Sequence, residues 1–414
     1  MKINRDIYLD RLIERKNNGL VKIVTGIRRC GKSYLLNEIF SEHLLKDGVS
    51  QDHIIKISTE GIANKKFLDP EYTYQYIHGL MNDDDTYYII IDEVQMMRDF
   101  TDVLSGLMIL KNADVYVTGS NSKFLSSDIA TEFRGRGDVI EMHPLRFKEF
   151  LTAYDDRDEA WDDYINYGGM PLVLNYKTAA SKQEYLTGLF QSTLARDVID
   201  RNNLRNEENF DELLNVLASG IGALTNPTKL ENTFSSVKHT SFPHATIDKY
   251  INCLEEAFIV SKAERYDVKG KRYIGSPYKV YFEDVGLRNA RLNFRQTEEN
   301  HIMENIIYNE LRARGYRSDV GVVEFFQKDE NGKTIRVDYE VDFVVNRGNE
   351  RCYIQSAFEI PDEHKMKQEK KSLSKINDSF KKVIIQKGYM KPRADEDGIV
   401  RMGVINFLLD DEVI

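Results

Sequence analysis

The sequence contains few cysteines and no long apolar run, and each absence excludes a class of protein. The three cysteines, Cys30, Cys253 and Cys352, are widely spaced and odd in number, which does not suggest a disulfide framework or a zinc site. No apolar run approaches the roughly 20 residues that cross a bilayer, and the N-terminus lacks the apolar region of a signal peptide. We therefore expect a cytoplasmic protein with reduced thiols and no membrane association.

Positive charge is not in excess either. The net charge of −10 argues against a surface that is basic throughout, so nucleic-acid binding would require a local basic face. Hydrophobic residues make up 41% and charged residues 30% of the sequence, which is typical of globular proteins. A chain of 414 residues is too long for one core, and we expect roughly two to four folded units.

The first 150 residues alternate between strand and helix patterns. The apolar spacing over 33–45 predicts a helix directly after the first strand. The continuous apolar run at 87–91 is typical of a strand buried on both faces of a parallel sheet. The pattern predicts an α/β fold with a doubly wound parallel sheet. Its predicted strands are 21–25, 54–57, 87–91 and 115–117.

The segment between the first strand and this helix has the full spacing of a P-loop. Its glycines let backbone N–H groups surround a phosphate, and the following helix directs its positive end toward that anion. Lys32 would reach the β- and γ-phosphates of ATP, and Ser33 would ligate Mg²⁺. The alternative is a glycine turn that only caps a helix, with the two arginines in solvent. The predicted nucleotide-binding residues are Gly26, Ile27, Arg28, Arg29, Cys30, Gly31, Lys32 and Ser33.

Two carboxylates end the third predicted strand, which is the form of a Walker B segment. Asp92 would emerge at the carboxyl end of the sheet and hold the magnesium ion, while Glu93 would polarise the attacking water. The alternative is a strand end followed by a solvated acidic turn. Because the P-loop lies about 60 residues upstream, we favour ATP hydrolysis with Asp92 as metal ligand and Glu93 as catalytic residue.

Three later residues are candidates for contact with the γ-phosphate. Ser120 and Asn121 follow the strand at 115–117, where a polar side chain would sense the phosphate or the water; a serine-rich turn capping the next helix is the alternative. Arg136 would act as an arginine finger in its own or a neighbouring subunit. An ordinary surface arginine is the competing interpretation.

The remaining sequence predicts three further segments. Residues 151–205 are predicted to be helical, with a break at Gly168–Pro171. Residues 206–291 show three helices and two apolar runs around a polar turn with Gly270 and Gly275, which is typical of a winged helix. Residues 292–414 predict a helix over 298–314 and a second α/β unit. The strands of this unit are predicted at 321–327, 339–345, 351–356 and 382–386.

Together these motifs resemble the bacterial and archaeal AAA-type P-loop ATPases that carry a C-terminal domain of unknown function with a restriction-endonuclease-like core. The resemblance covers nearly the whole chain. It rests on residues 22–33, 91–95, 117–122, 143–150, 167–171, 194–198 and 246–258. It implies an AAA-type ATPase domain (1–150), a helical extension (151–205), a winged-helix domain (206–291) and a nuclease-like α/β domain (292–414).

The resemblance also implies a nuclease site that this chain has in incomplete form. Glu304 and Asp342 match the first two acidic positions of the family's nuclease-like members. At the third element Gln355 replaces the acid and Ala357 replaces the lysine, which removes a hard ligand and a stabilising cation. We therefore expect a catalytically inactive domain that does not cleave DNA.

The leading interpretation is an ATP-driven switch whose nucleotide state changes how the C-terminal domains engage a partner. DNA bound by the winged helix, another protein and a second copy of the chain are candidates. The alternatives are an ATP-dependent nuclease or defence enzyme, which would need an intact metal triad, and a scaffold without turnover, against which Glu93 argues. Basic residues that would contact DNA, or form an ordinary solvated surface, are Lys262, Arg265, Lys269, Lys271, Arg272 and Lys279, and later Lys365, Lys367, Lys370, Lys371 and Lys375.

Overall fold

In this computed structural model the chain is described over residues 2–120, 135–238, 242–295, 298–328 and 333–414. Within these ranges every helix is too short or too polar to cross a membrane. The chain divides into two compact units. The N-terminal unit comprises Met1–Pro144 with Glu256–Phe258, and the C-terminal unit comprises Leu145–Glu255 with Ile259–Ile414.

The N-terminal unit is built on a parallel five-stranded sheet. Its strands are β1 (Val21–Thr25), β2 (Ile54–Ser58), β3 (Tyr87–Asp92), β4 (Ala113–Gly119) and β5 (Gly137–Glu141). Their spatial order is β2-β3-β4-β1-β5, and every neighbouring pair runs parallel. All residues of β1 and β3 are buried, as expected for central strands covered on both faces. The doubly wound parallel sheet predicted from the sequence is confirmed.

Helices surround this sheet. The helix predicted over 33–45 is present as one continuous helical segment, whose middle, Leu35–Phe40, is π-helical. Asp69 caps α4 by accepting the Tyr72 N–H at 2.8 Å, and Pro70 occupies its first turn, where no N–H is needed. The helices are α1 (Asp6–Glu14), α2 (Lys32–Tyr34), α3 (Ser41–Lys46), α4 (Pro70–Leu80) and α5 (Phe100–Ile109).

The C-terminal unit begins with helices and continues into a second sheet. Residues 207–256 contribute three helices before a strand pair, which is the element order on which the winged-helix prediction rests. The helices are α6 (Phe147–Phe150), α7 (Arg157–Tyr167), α8 (Ala179–Leu189), α9 (Arg196–Asn202), α10 (Glu207–Ser219), α11 (Pro227–Thr233), α12 (His244–Glu256), α13 (Val285–Arg291), α14 (Glu299–Ala313), α15 (Glu363–Leu373) and α16 (Val404–Leu409).

The sheet of the C-terminal unit has eight strands in the order β12-β13-β11-β10-β9-β8-β6-β7. The β6–β7 hairpin, predicted as the wing, pairs with β8 in parallel at Arg265–Asp267. Hydrogen bonds therefore join two segments that the sequence analysis assigns to separate domains, and Gly275 lies within β7 instead of in the turn. The strands are β6 (Val260–Asp267), β7 (Arg272–Phe282), β8 (Arg317–Lys328), β9 (Thr334–Arg347), β10 (Glu350–Ala357), β11 (Lys381–Gln386), β12 (Arg393–Ala394) and β13 (Val400–Gly403).

The predicted break at Gly168–Pro171 is a close-packed joint within the C-terminal unit. Gly168 has φ +69°, and a Cβ added there would lie 2.2 Å from Asp284 Oδ1. The Gly169 N–H donates to Asp284 Oδ2 at 2.6 Å, and burial raises the pKa of Asp284 to about 7. Both glycines are required by packing: a larger residue at position 168 would displace this buried carboxyl, and a Cβ on Gly169 would lie 2.1 Å from the Leu145 carbonyl oxygen.

Candidate nucleotide-binding site and carboxylate cluster

The predicted P-loop connects the end of β1 to the start of α2. Gly26 has φ +142°, and a Cβ added there would lie 2.0 Å from the carbonyl oxygen of Met142, so only glycine fits. The first N–H groups of the helix that begins at Lys32 have no intrahelical acceptor and lie beside the loop. The loop therefore has the backbone form that a phosphate site requires.

The Lys32 side chain is bonded to the backbone of the loop. Its Nζ donates to the carbonyl oxygens of Gly26 at 3.0 Å and Ile27 at 3.1 Å, and the residue is buried. Arg28 points instead to Glu60, with 3.5 Å between guanidinium and carboxylate, and Arg29 is exposed. Of the three cations of the loop, Lys32 is the one that is buried.

Cys30 is buried and is held from the opposite side by an arginine that the sequence analysis did not identify. Arg5 donates to the Cys30 carbonyl oxygen at 3.1 Å and to that of His143 at 2.6 Å. This arginine is itself buried, so its charge is satisfied by backbone carbonyls. No motif marks Arg5, because its partners lie 25 and 138 positions away in the sequence.

Asp92 ends β3 and accepts hydrogen bonds from two hydroxyls. Ser33 Oγ lies 2.8 Å and Thr118 Oγ1 2.6 Å from Asp92 Oδ1, and the carboxylate is buried. The structure thus brings together the two predicted magnesium ligands, Ser33 and Asp92. Thr118, at the adjacent strand end, was not predicted. Its position was the available signal, because Thr118 lies at the same strand end from which Ser120 was predicted.

Glu93 is fixed by neighbours on both sides. Its backbone has φ +51°, a strained value for a non-glycine residue, and its N–H donates to Thr118 Oγ1 at 2.8 Å. Its carboxylate accepts from Ser120 Oγ at 3.2 Å and from the Gln95 amide. Ser120 therefore lies at the predicted catalytic acid, whereas Asn121 lies outside the described residues. Thr59 Oγ1 also donates to the Glu93 carbonyl oxygen, at 2.7 Å.

Arg136 lies at the other end of the sheet. Its carbonyl oxygen accepts the Val21 N–H at 3.0 Å, at the first residue of β1, whereas the P-loop follows the last. The rise along five strand residues separates these ends by about 13 Å. This position does not support an arginine finger within the same subunit, and a role in a neighbouring subunit stays a prediction.

The donors around the two acids of the N-terminal unit are neutral. Asp92 is bonded to two hydroxyls, and Glu93 to one hydroxyl and one amide. Neutral donors hold a carboxylate in place without cancelling its charge. Oxygen ligands from Asp92 and Ser33 therefore suit a hard divalent cation such as Mg²⁺.

A second group of acids lies in the C-terminal unit, around one lysine. Lys279 Nζ lies 2.8 Å from Glu304 Oε1, 3.2 Å from Asp342 Oδ1 and 2.7 Å from Glu340 Oε1. We call these four residues the carboxylate cluster. β6 pairs with β8 at Arg265–Asp267. After the hairpin the chain passes through α13 to α14, which carries Glu304. The cluster thus joins a hairpin, a helix and a strand.

Burial and charge change the titration of this cluster. Burial, followed by the charge of Asp342, raises the pKa of Glu304 to about 7. Burial opposes the charge on Lys279, but the neighbouring Asp342, Glu304 and Glu340 raise its pKa above its ordinary value. The Tyr281 hydroxyl also donates to Glu304 Oε1, at 2.5 Å. The ammonium therefore already supplies a cation to these acids.

The incomplete nuclease elements take separate positions. Asp342 Oδ2 accepts the Ser356 N–H at 2.8 Å, on β10, but the Gln355 side chain accepts from Ser372 Oγ at 3.4 Å instead. Ala357 packs in the hydrophobic core of this unit. Glu304 and Asp342 meet as the resemblance implies, and Lys279, from another strand, stands at the acids in place of the missing lysine.

This arrangement corrects one sequence interpretation. Lys279 was grouped with the basic residues of the wing that would contact DNA, but it is buried within the carboxylate cluster and cannot reach a ligand in solvent. Lys262 is bound to Glu255 at 2.9 Å, and Arg272 to Asp267 at 3.3 Å. Half of the six wing cations are thus engaged by acids of the same unit.

Comparison with known proteins matches two family models and full-length relatives. Residues 18–151 match an AAA domain, and residues 158–298 match a domain of unknown function, DUF8612. An uncharacterized protein of Haemophilus influenzae is 32% identical over 414 residues, which cover 98% of each chain. An uncharacterized protein of Methanocaldococcus jannaschii is 28% identical over 91% of this chain and 82% of that protein.

Solved structures give weaker likenesses. The Aeropyrum pernix ORC1 protein in complex with DNA has a TM-score of 0.33 at 11% identity, covering 70% of this chain and 92% of that one. The ADP form of the Aeropyrum pernix ORC2 protein has a TM-score of 0.34 at 12% identity, covering 73% and 92%. These TM-scores are too low to bear on function.

Proposed function

Because the chain belongs to the same family of AAA-domain proteins as its full-length Haemophilus influenzae relative, we propose that it binds and hydrolyses ATP to switch engagement of a partner. The observation that carries this proposal is the contact between the two strand ends and the P-loop. Ser33 reaches Asp92, and Glu93 follows directly in a strained conformation held by Thr118 and Ser120.

The residues of the loop divide the work of binding. Gly26 lets the loop pass close to the Met142 carbonyl oxygen, with which any larger residue would collide. Lys32, now bonded to two loop carbonyls, would exchange them for the more strongly charged phosphate oxygens. The helix that begins at Lys32 adds its positive end.

The oxygen donors of Ser33 and Asp92 fit magnesium. When bound, Mg²⁺ supplies positive charge that neutralises the phosphate oxygens during phosphoryl transfer. Ser33 and Asp92 would hold it, since hydroxyl and carboxylate oxygens are the ligands that it prefers. Thr118 keeps the Asp92 carboxylate oriented through its 2.6 Å hydrogen bond.

Glu93 is the group that we expect to orient and polarise the attacking water. Its carboxylate is fixed by Ser120 and Gln95, and its backbone by Thr118 and Thr59. Preorganisation of this kind reduces the rearrangement needed at the moment of reaction. A scaffold that binds nucleotide without turnover would not need a strained acid at this position.

The C-terminal unit offers less support for nuclease chemistry than the N-terminal unit offers for ATP hydrolysis. Metal-dependent cleavage needs carboxylates that are free to bind the ion, whereas Glu304 and Asp342 share the ammonium of Lys279. We therefore propose that this unit binds a partner or transmits the nucleotide state, and that it does not cleave DNA. DNA, another protein and a second copy of the chain are the candidate partners of the switch.

Glu93→Gln tests the hydrolysis proposal. The amide keeps the shape of the side chain but loses the charge that polarises water, so turnover should fall by about 100-fold or more while ATP affinity is retained. Steady-state phosphate release and nucleotide titration would be measured on the same preparation. Glu71→Gln, an exposed acid on α4, is the matched control and should match the wild type. Wild-type turnover in Glu93→Gln would remove Glu93 from the mechanism.

A further inference from the structure

Two basic segments that are far apart in the sequence meet in one groove of the C-terminal unit. Lys269 and Lys271 lie in the turn between β6 and β7, and Lys375 follows α15. Arg351, near the start of β10, also lines the groove. The groove encloses about 630 Å³, which is enough for a nucleotide-sized group. We call this site the basic groove.

The four cations of the basic groove have no carboxylate partner among the described residues. Lys269 Nζ donates to the Glu324 carbonyl oxygen at 2.6 Å, and Arg351 donates to the Asn346 side chain at 2.8 Å. Lys271 is exposed, and Lys375 lies over the ring of Phe325. Their positive charge is therefore available to an anion, unlike that of Lys262 or Arg272.

Two acids also line the groove. Glu350 is bound to Arg347 at 3.2 Å, whereas Asp378 accepts the Tyr353 hydroxyl at 2.6 Å, a neutral donor that does not cancel a carboxylate's charge. In a chain of net charge −10, four cations without a carboxylate partner among the described residues outnumber this one acid and mark a local reversal of sign. Such a reversal attracts polyanions through long-range steering.

Aromatic rings line the same groove. The Arg351 guanidinium lies 5.3 Å from the centre of the Tyr266 ring and 5.6 Å from that of Phe380. Phe380 is 41% exposed although it is a large apolar residue. Cations combined with an exposed ring can bind a phosphate and a planar group together.

We propose that the basic groove binds a single-stranded nucleic-acid segment. Lys269, Lys271 and Lys375 hold its phosphates, and a base stacks on Phe380 beside Arg351. Stacking requires an unpaired base, so a duplex, whose bases are covered, fits this site less well. The inference rests on the proposed function in one respect, since it names the partner that the ATP-driven switch would engage.

The test uses the full chain and a fluorescently labelled oligothymidylate, with binding followed by anisotropy over a range of salt concentrations. Lys271→Glu/Lys375→Glu should weaken binding by at least about 10-fold and reduce the slope of log affinity against log salt by about 1.4, because each lost phosphate contact to a single strand accounts for about 0.7. Phe380→Ala should weaken binding by about 10-fold and leave that slope unchanged, because stacking releases no counterions.

Lys177→Glu/Lys391→Glu is the control, since it makes the same charge change at two exposed positions outside the groove and should bind like the wild type. The proposal is overturned if the control loses as much affinity as the groove variant, or if a duplex of equal length binds as tightly. Competition by polyglutamate as strong as that by the oligonucleotide would also overturn it. ATP turnover of the same variants, measured without nucleic acid, separates a failure of this groove from a failure of the ATPase proposal.

Discussion

The two acidic sites of this protein differ in what neutralises them. In the N-terminal unit Asp92 and Glu93 are held by hydroxyls and an amide, all of them neutral donors. In the C-terminal unit Glu304 and Asp342 are held by the ammonium of Lys279. The charge of a carboxylate oriented by neutral donors is left for a divalent cation, whereas the charge of one paired with an ammonium is already balanced.

This difference shows that the positions of the acids do not by themselves define the function of a site. Both sites bring two acids close together within one unit, and the acids alone would suggest two metal centres. The group that the acids contact, a neutral donor or an ammonium, decides whether the site can bind magnesium or stabilises the fold. The following variants test that distinction, from the largest expected effect to the smallest.

Lys279→Met should have the largest effect. Removing the ammonium leaves buried carboxylates without a counter-charge, which should lower the free energy of unfolding by about 3–5 kcal/mol. Denaturant unfolding followed by circular dichroism would measure this loss. Lys367→Met, an exposed lysine of α15, is the control and should change stability by less than about 0.5 kcal/mol.

The same variant also tests the charge argument directly. Without Lys279, the acids of the carboxylate cluster resemble an unoccupied metal site, so Mn²⁺ should raise the melting temperature of Lys279→Met more than that of the wild type. An equal or larger rise in the wild type would show that the ammonium does not exclude a metal ion, and the comparison of the two sites would fail.

Lys32→Ala should weaken ATP binding by at least about 100-fold, because it removes the charged hydrogen bonds that this side chain would make to the phosphates. Isothermal titration of the folded variant would measure the affinity. Arg29→Ala, which removes an exposed cation from the same loop, should change it only a few-fold. Unchanged affinity in Lys32→Ala would refute the assignment of the nucleotide site.

The smallest effect concerns pH. In the folded protein burial and the charge of Asp342 raise the pKa of Glu304 to about 7, from an ordinary value of 4.5. Between these values the folded state holds a proton that the unfolded state has lost, so the stability from this group is present at low pH and falls as pH rises through about 7.

Glu304→Gln should remove this dependence, which has a maximum slope of about 1.4 kcal/mol per pH unit. Denaturant unfolding at several pH values between about 4.5 and 7 would compare the variant with the wild type. Asp284 has a similarly raised pKa and remains in both proteins, so only the difference between them reports on Glu304. Parallel curves for the two proteins would contradict the raised pKa.

Much of the N-terminal unit could be predicted because its signals are local. The run at 87–91 is a strand over 87–92, and the run at 54–57 is a strand over 54–58. The apolar strand segments, the glycines and the helical spacing are all patterns among neighbouring residues, and so is the P-loop. The hydrogen bonds of Thr118, Thr59 and Arg5 were not predicted, since each links separate segments.

In the C-terminal unit the same limit has larger consequences. The predicted strands were located closely, whereas β12 and β13 were not predicted. The predicted wing belongs to the larger sheet through its pairing with β8, and pairing between distant strands leaves no mark in either segment. Lys279 was therefore assigned to the solvent-facing surface, although it lies 63 positions from Asp342 in sequence and 3.2 Å from it in space.

The sequence by itself determined the P-loop spacing, the two acids at the end of β3 and the parallel sheet that carries them, because spacing along one chain fixes what a loop and a strand can do. Only the tertiary structure decided the charge of each site. Whether a carboxylate faces a hydroxyl, an ammonium or open solvent depends on which distant segment packs against it. The same packing brings Lys269, Lys271 and Lys375 to one groove and takes Lys279 away from it.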